Sequence, residues 1–222
     1  MSKTHIFLSS ILIFILQLSA AKPKMADADS VKKPEDPIVI TVNYTVEKGA
    51  TVPEHFADTL KKAQTLLSKV FSSKEFKAAM YKQSFNDSAY SKSKKACFEK
   101  LYDPKNGKLT GELVYANLLA NPVIDLSITI KNNGDKKTTM GLSYPCVSKF
   151  TTFDYWLVTD TELARRLARH IAHEFTHIRG YRHDNNVPDK YKWGRDVEED
   201  PAYGVGSIVG EILTNWSKKG MI

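Results

Sequence analysis

The segment from Thr159 to Arg179 constrains this chain more than any other. Leu163, Leu167, Ile171, Phe175 and Ile178 recur at intervals of three and four, the spacing of an amphipathic helix with one apolar stripe. Thr159 and Glu162 have the S/T-x-x-E pattern of a capping box at its start. Gly180 follows its end, where a left-handed residue commonly stops a helix. Such a helix must bury its stripe against another layer. His173 and His177 stand four apart on it, so both imidazoles leave the same face.

Two ring nitrogens on one rigid turn suit a tetrahedral zinc ion. Glu174 follows the first of them directly, which lets its carboxylate reach a water on the metal without becoming a ligand. A hydrolytic site then needs one more protein ligand and one open position. Gly180 permits a sharp turn, and His183 can swing back as the third ligand. The expectation is one zinc ion per chain on His173, His177 and His183. Three neutral imidazoles leave the ion its full charge, which favours acidifying its water. His170, one turn before His173, reads as a buried or supporting histidine rather than a fourth ligand. Arg165, Arg166 and Arg169 read as a solvated helix face. Arg179 and Arg182 lie near enough in sequence to favour acidic substrate groups.

The stretch HEFTHIRGYRH, residues 173–183, resembles the extended zinc signature of the metzincin peptidases, H-E-x-x-H-x-x-G-x-x-H. Asp184 follows the third histidine, as in the adamalysin-like branch. The resemblance implies that His173, His177 and His183 hold zinc and that Glu174 is the general base. It implies a two-lobed domain, with a twisted sheet, a backing helix and the active-site helix above and a C-terminal helix below. It is specific over eleven residues and loose elsewhere. One departure is plain: metzincins carry a methionine in a tight turn beneath the zinc, and after His183 the only methionine is Met221. Asp200-Pro201-Ala202-Tyr203-Gly204 occupies the place of that turn. Tyr203 is a candidate for meeting the metal or the oxyanion, against the plainer reading of a packed lower-lobe tyrosine.

The rest of the chain reads as α/β (α+β). Ile38 to Val46 alternates and is rich in β-branched residues, which predicts a strand. Pro53 to Phe71 has helical spacing, with proline in its first turn. Short helices are predicted near Glu75–Gln83 and Thr110–Leu119, and a strand over Val123–Ile130. Asn133-Gly134 signals a turn, so Thr138–Tyr144 is expected to return as the second arm of a hairpin. Phe153–Val158 is a further strand candidate, and Val205–Trp216 a closing helix.

Residues 1–21 read as a cleaved export signal. Lys3 precedes an apolar run over Ile6–Leu16, too short to span a bilayer, and Ser19-Ala20-Ala21 supplies small residues for cleavage. Residues 22–37 read as a flexible leader or short pro-segment, and 38–222 as the catalytic domain. The formal charge of +7 falls to +6 without residues 1–21, which hold Lys3 and no acid. The excess lies in scattered lysine pairs, with no basic helix and no nucleic-acid motif. No later segment is apolar enough to cross a membrane. The two cysteines, Cys97 and Cys146, are expected to pair in an oxidising compartment.

The sequence therefore points to a secreted (extracellular or periplasmic) zinc endopeptidase acting on proteins or peptides. The alternative is a zinc-bearing binding or toxin-like module with little turnover. The absent methionine favours the second and Glu174 the first, since a pure binding module needs no carboxylate there.

Overall fold

The computed structural model describes residues 37–86, 108–134, 139–158, 161–181, 183 and 200–222. The expected export signal, the expected leader apart from Pro37, Cys97, Thr159, Arg182 and Asp184 lie outside these residues.

Four strands form the main sheet: β1 (Val39–Val46), β4 (Val123–Lys131), β5 (Gly141–Ser143) and β6 (Lys149–Phe153), in the order β1-β4-β6-β5. β4 pairs in parallel with β1 and with β6, and β5 pairs antiparallel with β6. The alternation read from the sequence sets which side faces the core. Ile40 and Val42 of β1 and Ile124, Leu126, Ile128 and Ile130 of β4 are buried, while Val39 and Val123 are exposed.

The hairpin expected from Asn133-Gly134 does not form. Both hydrogen-bonding edges of β4 are taken by parallel neighbours, so the returning segment adds to β6 at the sheet's far edge. Gly134 does adopt positive φ, and its N–H donates to Asn132 Oδ1. The last strand also lies earlier than Phe153–Val158. At Asp154 the chain enters a 3-10 turn over Asp154–Trp156. The Asp154 carboxylate accepts from the Thr51 N–H and from Asn132 Nδ2, which a strand side chain in that register does not do.

Helices α1 (Phe56–Phe71) and α4 (Leu163–Ile178) pack against each other, α1 against β1 and α4 against β5. The stripes read from the sequence are the buried ones: Phe56, Leu60, Ala63, Leu67 and Val70 on α1, and Leu163, Leu167, Ile171, Phe175 and Ile178 on α4. Pro53 lies before α1 rather than in its first turn, and His55 precedes the helix in a left-handed conformation. α4 begins at Leu163, with Glu162 as its N-cap residue and no side-chain cap. Glu162 pairs with Arg165, and Thr159, the other member of the expected capping box, lies outside the described residues.

A second group consists of α2 (Lys74–Tyr81), α3 (Gly111–Leu118) and the two-stranded pair β2 (Ser84–Asn86) and β3 (Lys108–Thr110). Ser73 and Thr110 cap α2 and α3 by accepting from Phe76 N and Leu113 N. The closing helix α5 (Pro201–Lys218) starts four residues before the expected Val205. Asp200 caps it and Pro201 occupies its first position, so the segment read as a turn is a helix start. α5 packs along α4, where a Cβ at Gly206 would stand 3.4 Å from His173 Cβ and one at Gly210 3.2 Å from Arg169 Cδ. All described residues fall within one contact unit, Lys33–Ile222. No helix among them is long and apolar enough to cross a membrane.

Candidate metal centre

Three histidines meet at the end of α4. One ligand atom from each of His173, His177 and His183 lies within 4.8 Å of the others. Helical geometry supplies the first two. The third arrives because the chain reverses after α4: Gly180 takes φ +101°, its N–H bonds the His177 carbonyl, and Tyr181 N bonds the Thr176 carbonyl.

The outer nitrogens decide what the inner ones can do. His177 Nδ1 lies 2.7 Å from the Tyr181 carbonyl, which can only accept, so Nδ1 carries the proton. His183 Nδ1 lies 3.2 Å from Asp200 Oδ2, which fixes the same tautomer in the neutral ring. The two Nε2 atoms then face each other, 3.1 Å apart, each with a bare lone pair. Two such acceptors at this distance repel unless a positive centre sits between them. With zinc–nitrogen bonds of about 2.0–2.1 Å, ligand nitrogens in a tetrahedral site stand roughly 3.3 Å apart. The residues present fit a small divalent ion. The His173 ring stands 4.8 Å from the His177 ring and 5.2 Å from the His183 ring, centroid to centroid.

Burial keeps His173 and His177 neutral. It lowers His177 to about 4 and His173 well below the usual histidine value, with the neighbouring histidines adding to the effect. Neutral imidazole is the ligating form.

Glu174 is 3% exposed and turns toward β5. Ser143 Oγ donates to its Oε2 at 2.6 Å and lies 3.2 Å from its backbone carbonyl. Burial pushes the carboxyl up to about 7, against the Ser143 hydrogen bond and His183, which both pull it down. A group with this pKa can take a proton and release it near neutral pH. Gly141 makes room for it: a Cβ there would stand 2.8 Å from Glu174 Oε1 and 2.6 Å from His170 Cε1.

His170 takes no part in the cluster. It is buried against the rings of Phe150 and Trp156, and its Nε2 lies 3.1 Å from Thr152 Oγ1. The Thr152 hydroxyl donates to the Met140 carbonyl, leaving its lone pair for the histidine N–H. Arg179 points elsewhere too. Its Nη2 donates to the Leu118 carbonyl and its guanidinium covers the Phe175 ring. Arg165 and Arg166 are half-buried rather than fully solvated, while Arg169 is exposed.

Tyr203 lies against the ligands. Its ring stacks on His183, centroids 4.4 Å apart and planes 24° apart, and stands 4.8 Å from His173. Sequence reasoning singled out this tyrosine but missed Ser143, Tyr181 and Asp200. An Asp-Pro pair ahead of an apolar run was the available signal for Asp200 as a helix cap. Nothing local marked Ser143, whose role depends on sheet pairing.

The fold and site thus define an α/β domain with a mixed sheet and a three-histidine cluster able to hold a metal ion. Compared with profiles of known families, with curated proteins and with solved structures, the chain matches none.

Proposed function

We propose that this protein is a secreted zinc endopeptidase of metzincin type. The observation that carries the reading is the pair of bare Nε2 atoms of His177 and His183 facing each other beside His173, with a buried glutamate directly after the first ligand. The order of strand, helix, strands, histidine-bearing helix and closing helix is compatible with the two-lobed domain the signature implies.

His173, His177 and His183 hold the zinc. When bound, the ion polarises a scissile carbonyl and brings water toward a pKa of about 7. Glu174 takes the proton from the attacking water and returns it to the leaving amine. Ser143 fixes Oε2, which orients the carboxyl for that transfer.

Glu174→Gln is the test. The amide keeps the shape and can still accept from Ser143, so fold and zinc content stay unchanged. Turnover of a denatured protein substrate falls by about 10²- to 10⁴-fold, the usual contribution of a general base. Equal cleavage by wild type and variant at equal zinc content removes Glu174 as the base. Zinc-loaded wild type that cleaves nothing favours the zinc-bearing binding module.

A further inference from the structure

Resting on that metal-binding reading, we propose that Asp200 is a positioning residue for the third ligand and locks His183 to the first turn of α5. Its carboxylate is buried, 3% exposed, and each oxygen has a separate task. Oδ1 accepts from the N–H groups of Ala202 and Tyr203, at 2.9 and 3.3 Å, and so caps the helix. Oδ2 meets His183 Nδ1 at 3.2 Å. The backbone carbonyl of Asp200 receives the first helical bond, from Gly204 N at 2.8 Å.

These contacts tie the ring to a rigid element. A histidine five residues beyond the end of α4 is not held by that helix, and its side chain is 39% exposed. Asp200 grips its outer edge while Tyr203, three residues on, covers one face. The Tyr203 ring also stands 4.8 Å from the His173 ring. One helical turn therefore borders two of the three rings. A carboxylate on the outer nitrogen also selects the tautomer with a bare Nε2 and raises its basicity. In this chain α5 begins where metzincins place their methionine turn, and Asp200 with Tyr203 supplies the floor.

The experiment separates orientation from capping in the full exported chain. Asp200→Ser keeps a good N-cap but cannot reach His183. Asp200→Asn keeps the size and one acceptor but loses the charge. Zinc affinity is read by chelator competition, the cobalt(II) visible spectrum reports the ligand geometry, and melting of the metal-free protein reports the fold. We expect Asp200→Ser to bind zinc 10- to 100-fold more weakly, with an altered cobalt spectrum and nearly unchanged metal-free melting. Asp200→Asn falls between it and wild type, and remains the deciding variant if the serine protein does not fold. Wild-type zinc affinity and an unaltered cobalt spectrum in either variant overturn the positioning role. A wild-type protein that takes up no zinc in the same titration overturns instead the metal-binding reading on which it rests.

Discussion

His170 shows how one buried ring can make stability depend on pH. Burial, with a smaller contribution from His177, lowers its pKa to about 3, against 6.5 for a free histidine. Between those values the unfolded chain takes up a proton that the folded chain refuses. Stability from the neutral ring is thus complete above pH 6.5 and is lost as pH falls toward 3. Replacing His170 with Phe removes this dependence. Urea unfolding in chelator at pH 7.5 and pH 4 should show the variant losing less stability than wild type, by on the order of 3 kcal/mol. Equal losses in the two proteins would exclude His170 as the source. Gly141 offers a second test at this scale. With Cβ contacts below 3.0 Å to both His170 and Glu174, Gly141→Ala must shift the proposed general base. Turnover should drop at least about tenfold while zinc content stays at one per chain; a wild-type rate would show that the site absorbs the methyl group.

At the scale of elements, apolar periodicity was the reliable guide. The stripes of α1 and α4 and the alternation of β1 were legible because each depends on near neighbours in sequence. Strand pairing was not. The Asn133-Gly134 turn pointed to a hairpin, but the partners of β4 lie far away in sequence, and parallel pairing leaves no local signature. The site divides in the same way. His173, Glu174, His177 and His183 sit within one local pattern, whereas Ser143 and Asp200 meet them only through folding. The start of α5 was misread because Asp200-Pro201 resembles a turn as closely as a cap. Leu167 tests the packing that supports the site. It is fully buried on α4, and Leu167→Ala should cost about 2–5 kcal/mol through a cavity. For a chain of this size, each kcal/mol lowers Tm by about 2–4 °C, measurable by calorimetry.

For the whole molecule, the covalent link matters as much as the sheet. Cys146 is disulfide-bonded, and the chain's other cysteine, Cys97, lies outside the described residues. The Cys146 N–H donates to the Ile178 carbonyl at 2.9 Å, so the bonded segment is tied directly to the end of the histidine-bearing helix. A Cys97–Cys146 link closes a loop of about 50 residues, worth roughly 4 kcal/mol in restricting the unfolded chain. Cys146→Ser should therefore lower Tm by roughly 10 °C, and its zinc should be lost to chelator faster than in wild type. Wild-type melting in that variant would show that the link constrains little.

The three histidines differ in how exposed their support is to mutation. His177 is held through a main-chain group, the Tyr181 carbonyl. A point substitution changes a side chain and leaves a carbonyl where it was. Tyr181→Phe should thus preserve the acceptor, whatever it does to packing. His183 alone relies on a side chain for its outer bond. The vulnerability of the cluster, apart from the ligands themselves, is concentrated at codon 200, where nearly every single change removes the carboxylate. A saturation library selected for zinc retention should tolerate variety at 181 and return aspartate at 200.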